Sequence, residues 1–144
     1  MKTSAKARYA VRLLLDLAMH TDQGPVRTAD LSAHTGISVR FIEQILQPLK
    51  KAGLVRSTRG AAGGYMLSAD PAQVSMASVI RIIEGNLCLT HCCENPASCP
   101  RSPDCLSHQA WARATRVLEA ELDSISIADL REGLPPGSAH GCTR

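Results

Sequence analysis

Four side chains able to bind a soft metal fall between Cys93 and His108, where Cys93, Cys99, Cys105 and His108 follow the spacing C-x5-C-x5-C-x2-H. Thiolates select zinc, copper(I) or iron–sulfur clusters over hard ions such as magnesium and calcium. Structural zinc sites usually pair their cysteines two to four residues apart, so that one tight turn aims both at a single ion. Here two successive five-residue gaps, containing Pro96, Pro100 and Pro103, predict an open loop around something wider than one atom. This ranks an iron–sulfur cluster ahead of zinc, with a plain thiol site as the remaining reading. Cys105 and His108 share one face of a helix expected to begin near Pro103, with Ser102 as its cap.

The size of the chain, 144 residues, fits one domain or one compact domain with an appended dimerisation element. Aromatic residues make up only 3% of it, so the core must be built mainly of Leu, Ile, Val, Ala and Met. No apolar run approaches the ~20 residues of a membrane span. The opening MKTSAKARYAVRLLLDLAMH is interrupted by Asp16 and lacks a small-residue cleavage site, so it reads as an amphipathic helix and the expected location is cytoplasmic. Five of the six cysteines crowd between Cys88 and Cys105, whereas a disulfide framework would spread them along the fold. Metal or redox chemistry is the better account of them.

The net charge of +3 divides unevenly along the chain: residues 1–67 carry +6 and residues 68–144 carry −3. A basic half beside an acidic half is the asymmetry of a protein whose one half meets phosphate, although a charge run can also be no more than a solvated face.

The elements that must present this charge are legible as caps and periodicities. Lys6 to His20 reads as a helix with Ala10, Leu13, Leu14, Leu17 and Ala18 on one face. Thr28 is expected to cap a short helix over 29–34, Thr35-Gly36 to turn, and Ser38 to cap a longer helix reaching about Ala52, with Gly53 as its stop. A short helix, a glycine turn and a second capped helix describe helix-turn-helix, although any small three-helix bundle shares such caps. Pro48 inside the third helix removes the donor for the Gln44 carbonyl, so a kink there, water on that carbonyl, or a helix ending near Gln47 is expected. Next come a strand over 54–58, the glycine-rich turn RGAAGG and a return strand over 65–67, which together predict a wing with Arg59 at its tip beside Gly60. GAAGG lacks the Lys-Ser/Thr of a phosphate-binding P-loop.

Ser75 caps a fourth helix over 76–84, with Val79, Ile80 and Ile83 inward and Gly85 as its end. A long helix from Pro103 to about Ser124 carries a stripe of Leu106, Ala110, Ala114, Val117, Leu118, Glu121, Leu122 and Ile125, broken only at Glu121. A small winged helix cannot cover so long a stripe, which predicts packing on a second copy and hence a symmetric dimer. Trp111 is expected under the cysteine loop or in that seam, residues 126–130 as a short helix, and the tail LPPGSAHGCTR as a loop with His140 and Cys142 solvated. The fold class is therefore mainly α with a small β-hairpin, a winged helix-turn-helix with a long C-terminal dimerisation helix. The expected organisation is a DNA-binding domain over 1–85, a cysteine-rich loop over 86–102, dimerisation and terminal helices over 103–133, and a flexible tail over 134–144. No catalytic constellation is visible: His20, His34, His91 and His140 lack a paired nucleophile and carboxylate at a recognisable spacing, so no enzyme is expected.

KARYAVRLLLDLA, GISVRFIEQIL, LKKAGLVRSTRGAAGGYML and the cysteine loop ending CLSHQAW together resemble the IscR/NsrR family of bacterial winged-helix regulators, the Rrf-two family, over about residues 1–133. The IscR-type branch matches best. For that branch the resemblance implies a 2Fe–2S cluster held by three cysteines and a histidine, which Cys93, Cys99, Cys105 and His108 match one by one. The nitric-oxide-sensing branch holds a 4Fe–4S cluster with three cysteines and a carboxylate from the partner's first helix, and the matching position here is Arg8, which cannot ligate. The resemblance further implies that Ser38, Arg40, Glu43 and Gln44 meet base edges or phosphates of a pseudo-palindromic double-stranded operator, and that Arg59 enters the minor groove; Thr28 and Gly60 complete the expected DNA-binding set. The residue types agree, since glutamine can read adenine, arginine can read guanine or phosphate, and glutamate can accept from cytosine N4. Glu43 resembles a residue that bars some promoters to the cluster-free form. Two departures from the family pattern are Pro48 and the extra thiols Cys88 and Cys92, which leave room for ligand exchange or a disulfide.

The expected function is a homodimeric DNA-binding transcription regulator controlled by an iron–sulfur cluster. The alternatives are a nitric-oxide-sensing 4Fe–4S regulator, a thiol or zinc-site DNA binder without a cluster, and a cysteine-rich electron-transfer protein whose basic half docks an acidic partner.

Overall fold

A computed structural model describes residues 3–134; the tail residues His140 and Cys142 lie outside the described residues. Helix α1 (Ala5–Met19) starts where the Ser4 hydroxyl accepts the Ala7 N–H at 3.1 Å. It buries Ala10, Leu13, Leu14 and Leu17, as the four-residue periodicity requires. Helix α2 (Thr28–Thr35) ends at Gly36, whose φ of +71° is the left-handed value that a side chain resists and glycine adopts freely. Helix α3 (Val39–Lys51) turns Ile42, Ile45, Leu46 and Leu49 into the core and leaves Arg40, Glu43, Gln44 and Gln47 exposed. Edge-to-face packing of Tyr9 on Phe41, centroids 5.8 Å apart, joins α1 to α3.

The hairpin of β1 (Val55–Thr58) and β2 (Gly64–Leu67) is antiparallel, with Val55 opposite Leu67. Val26, between α1 and α2, pairs with Tyr65 through two backbone hydrogen bonds of 2.8 Å and so adds a rung from a third chain segment to the wing. That rung explains Gly64, because a Cβ there would collide with the Val26 carbonyl. A Cβ at Gly63 would likewise strike the Thr58 carbonyl. Both glycines thus serve close approach within the wing, in addition to any exposure toward a ligand.

Helix α4 (Met76–Glu84) follows, capped by the Ser75 hydroxyl on the Ser78 N–H, and buries Val79 and Ile80 while Ile83 stays half-buried. Then come α5 (His91–Glu94), short 3-10 turns over Pro96–Ser98 and Ser102–Asp104, α6 (Leu106–Ser124) and α7 (Ile127–Glu132). Ile127 is fully buried among the α1 and α3 residues, and its N–H bonds the Val74 carbonyl at 2.9 Å. Arg81 of α4 grips Asp123 of α6 with two contacts of 2.9 and 3.1 Å. No described helix is long and apolar enough to cross a membrane.

The architecture is the expected one, and several local readings need correction. Thr28 is the first residue of α2 rather than its cap, because the extended chain paired through Val26 runs on into Arg27. Ser38 occupies the cap position of α3 but its hydroxyl makes no capping bond. The third helix runs through Pro48 to Lys51, so it does not end near Gln47. Leu54 stays out of β1, since its N–H returns to the Leu49 carbonyl and closes α3. Ser102 is buried in a 3-10 turn, and Cys105 instead caps α6 because its backbone is extended, with ψ of 110°. The segment expected to be an open loop is thus a string of short turns.

Replacing Gly64 by alanine is expected to cost about 1–3 kcal/mol, the range for forced overpacking, with the denaturation midpoint as the measure. An unchanged midpoint would show that the Val26–Tyr65 rung yields without cost. A second test uses the capping box of α7, where the Ser126 hydroxyl and N–H hold the Asp129 carboxyl below its usual range. A lowered carboxylate pKa adds stability that is complete above the unfolded value, about 3.9, and is lost as pH falls through the folded one. The stability gap between the native chain and Ser126→Ala should therefore narrow as pH drops below about 4. A constant gap from neutral to acid pH would count against it.

Candidate metal centre and nucleic-acid interface

The cysteine segment is tied down over its first residues. Leu89 N–H reaches the buried Thr115 hydroxyl of α6 at 3.3 Å, and the Asn86 side chain bonds both the Cys88 N–H and the Glu94 carboxylate. Between these ties α5 carries Cys92 and Cys93 toward the first turn of α6. Cys93 Sγ lies 3.9 Å from His108 Nδ1, and Cys92, Cys93 and His108 offer ligand atoms within 4.8 Å of one another. Cys105 caps α6, its Sγ accepting the backbone His108 N–H at 3.4 Å. Cys99 is half-buried in the same segment but lies outside that close group. The structure therefore brings Cys93 and His108 together with Cys92, and leaves the sulfurs of both Cys99 and Cys105 outside that close group.

The chemistry of these donors fits a soft metal group. The sulfurs are half-buried thiols, and none of the five described cysteines is in a disulfide. Thr90 donates its hydroxyl to Cys93 Sγ at 3.1 Å. Donors aimed at sulfur favour the thiolate and tune a cluster bound to it. The Thr90 hydroxyl, followed by His108, lowers the Cys92 pKa, whereas burial raises that of Cys88. The sequence marks Cys92 only as an extra thiol with room for ligand exchange or a disulfide, and the structure places its sulfur in the close group with Cys93 and His108. Trp111 stays about half-exposed rather than packing under the loop within one chain.

Away from the cysteine segment, two adjoining clefts flank Tyr65. Arg40, Glu43, Gln44, Gln47 and Lys50 of α3 line one of them. Arg27, Thr28, Ser57, Arg59, Gly60 and Gly63 line the other. Ser38 is exposed at the start of α3. The wing is braced against this face, since Arg27 donates Nη2 to the Ala61 carbonyl at 2.5 Å and Lys50 Nζ reaches Ser57 Oγ at 2.5 Å. The bracing role of Arg27 is a tertiary fact with no local pattern to announce it.

A recognition helix beside a braced, basic hairpin defines the class: this is a winged helix-turn-helix transcription regulator. The chain belongs to the Rrf2 family of iron-dependent transcriptional regulators, whose family model matches residues 3–133. It is 38% identical over 130 residues to the HTH-type transcriptional regulator IscR of Aliivibrio salmonicida, covering 90% of this chain and 77% of that protein. Protein rrf2 of Nitratidesulfovibrio vulgaris is 35% identical over 130 residues, covering 90% and 87%. Among solved structures, T. potens IscR superposes with a TM-score of 0.75 at 33% identity, covering 98% of this chain and 94% of that one. CymR, the global cysteine regulator of B. subtilis, gives 0.76 at 31%, covering 92% and 97%.

Removing the brace offers a test of the face. Arg27→Ala should weaken binding to operator DNA by about tenfold, ~1.4 kcal/mol, while leaving thermal stability within about 0.5 kcal/mol. Fluorescence anisotropy alongside thermal melting separates the two effects. Unaltered DNA affinity would show that the wing needs no brace.

Proposed function

We propose that this regulator acts as a homodimer whose DNA binding is governed by an iron–sulfur cluster held by Cys93, Cys99, Cys105 and His108, with 2Fe–2S favoured over 4Fe–4S. The observation that carries this reading is the approach of His108 to Cys93 across the cysteine segment, with Cys105 capping the helix that bears the histidine. When bound, the cluster would supply one-electron redox chemistry and a local change of charge. A neutral imidazole in place of a fourth thiolate leaves the group less negative and raises its potential. Cys99 would complete the set. Ser38, Arg40, Glu43 and Gln44 of the α3 face would read the major groove or meet its phosphates, with Thr28 and Gly60 at the backbone and Arg59 in the minor groove.

The dimer is supported by α6, which has one buried residue, Thr115, along its whole length. Leu106 and Val117 are 79% and 65% exposed, and Ala110, Ala114, Val117 and Leu118 line an open apolar groove. A second copy would cover this stripe and set two recognition helices for the half-sites of a pseudo-palindrome.

The decisive experiment is anaerobic purification with iron and sulfide analysis. His108→Cys is expected to keep a cluster of lower potential, whereas His108→Ala and Cys99→Ser should lose it or make it labile. Wild-type iron content, spectrum and potential in His108→Ala would remove the histidine from the ligand set. For the dimer, Leu118→Asp places a charge in the proposed seam and should yield monomers with lost operator binding in sedimentation and gel-shift assays. A surviving dimer would place the seam elsewhere.

A further inference from the structure

Away from both sites, the helix pair that precedes the recognition helix holds a second group of metal-binding side chains. Asp16 lies in the last turns of α1, His20 is the residue after that helix, and His34 lies in the last turn of α2. Their ligand atoms all fall within 4.8 Å of one another. His34 Nδ1 is 3.1 Å and His20 Nδ1 is 3.6 Å from the same Asp16 carboxylate oxygen. The two imidazoles stack with centroids 4.9 Å apart and 14° between their planes. The side chains are 13% exposed for Asp16, 25% for His20 and 40% for His34, so the group is sheltered and still reachable from solvent.

We propose that Asp16, His20 and His34 form a binding site for a borderline divalent cation of the zinc class. Two imidazole nitrogens and one carboxylate are a donor set that binds such ions and leaves coordination positions for water. His20 Nδ1 also lies 2.7 Å from the Asp16 carbonyl oxygen, which fixes the orientation of the ring beside the carboxylate. The nearby cation Arg12 is engaged elsewhere, its Nη1 donating to the Thr35 carbonyl at 3.3 Å. An ion here would cross-link the ends of α1 and α2 next to the Gly36 turn that leads into α3. This site is separate from the cysteine segment and independent of the cluster reading.

The test titrates Zn2+ alone into the full chain and into two variants by calorimetry. Contributions from the cysteine segment are common to all three proteins and cancel. His20→Asn removes one nitrogen donor. His34→Arg keeps a cation against Asp16 without a ligand, so the fold retains its ion pair. Each variant is expected to bind one Zn2+ equivalent per chain fewer than the native protein. In the native protein, the imidazole NMR signals of His20 and His34 should shift together on adding Zn2+. Unchanged stoichiometry in both variants, or His20 and His34 signals that ignore Zn2+, would overturn the site and leave an Asp16–His34 ion pair. The NMR measurement decides the matter even if a variant fails to fold.

Discussion

Everything in this molecule hangs on the apolar face of α1. Leu13, Leu14 and Leu17 are fully buried or nearly so, and they share one core with α3, the wing, Val79 of α4 and Ile127 of α7. Burial of each such leucine is worth about 1.5–3 kcal/mol relative to exposure, so this one helix supplies much of the driving force for closing the domain. Its other faces remain available for different work. Arg8 and Arg12 flank the Tyr9 ring at 5.9 and 5.5 Å, and Asp16 faces the two histidines.

Around that core, stiffness is distributed according to use. The recognition face is held by backbone pairing at Val26 and Tyr65 and by the Arg27 and Lys50 side chains, so the wing and α3 are oriented as a unit. The cysteine segment has no such sheet. Short turns, a hydroxyl from Thr115 and the Asn86 bonds hold it, and its sulfurs stay half-buried. A segment with few buried apolar contacts opens at lower free energy than a packed helix.

The link between the two regions is α6. Thr115 touches the cysteine segment, Asp123 and Glu119 meet Arg81 of α4, and α7 beyond it plugs Ile127 into the α1 core. Arg81 and Asp123 each stabilise the other's charged form, the arginine pKa raised chiefly by its hydrogen bond to Asp123 and the aspartate lowered chiefly by that same bond. Both side chains are substantially exposed, so solvent screens the pair and its value lies more in registering α6 on α4 than in net stability. A displacement at the N-terminal end of α6, where Cys105 and His108 sit, would reach α4 and the α1 core through this register.

Much of this was decided locally. Helix α1, the Ser75 cap, the Gly36 turn, the hairpin and the thiol spacing were all readable because each depends on residues within a few positions, through hydrogen bonds and periodicity that chain geometry dictates. The family resemblance rested on the same stretches, and the match over residues 3–133 agrees with it. What needed the tertiary structure were meetings between residues far apart in the chain. Gly64 is glycine because Val26 lies against it, although 38 residues separate the two. His20 and His34 lacked a visible carboxylate in the sequence, yet the spacing Asp16-x3-His20 placed one a helical turn away and the α1–α2 packing delivered the second ring. Cys92 rather than Cys99 falls nearest to Cys93 and His108, because α5 is a helical turn that no proline spacing foretold. Such pairs are fixed only when burial of the α1 face brings the elements together, since sequence patterns encode which face each element buries and not which neighbour will cover it.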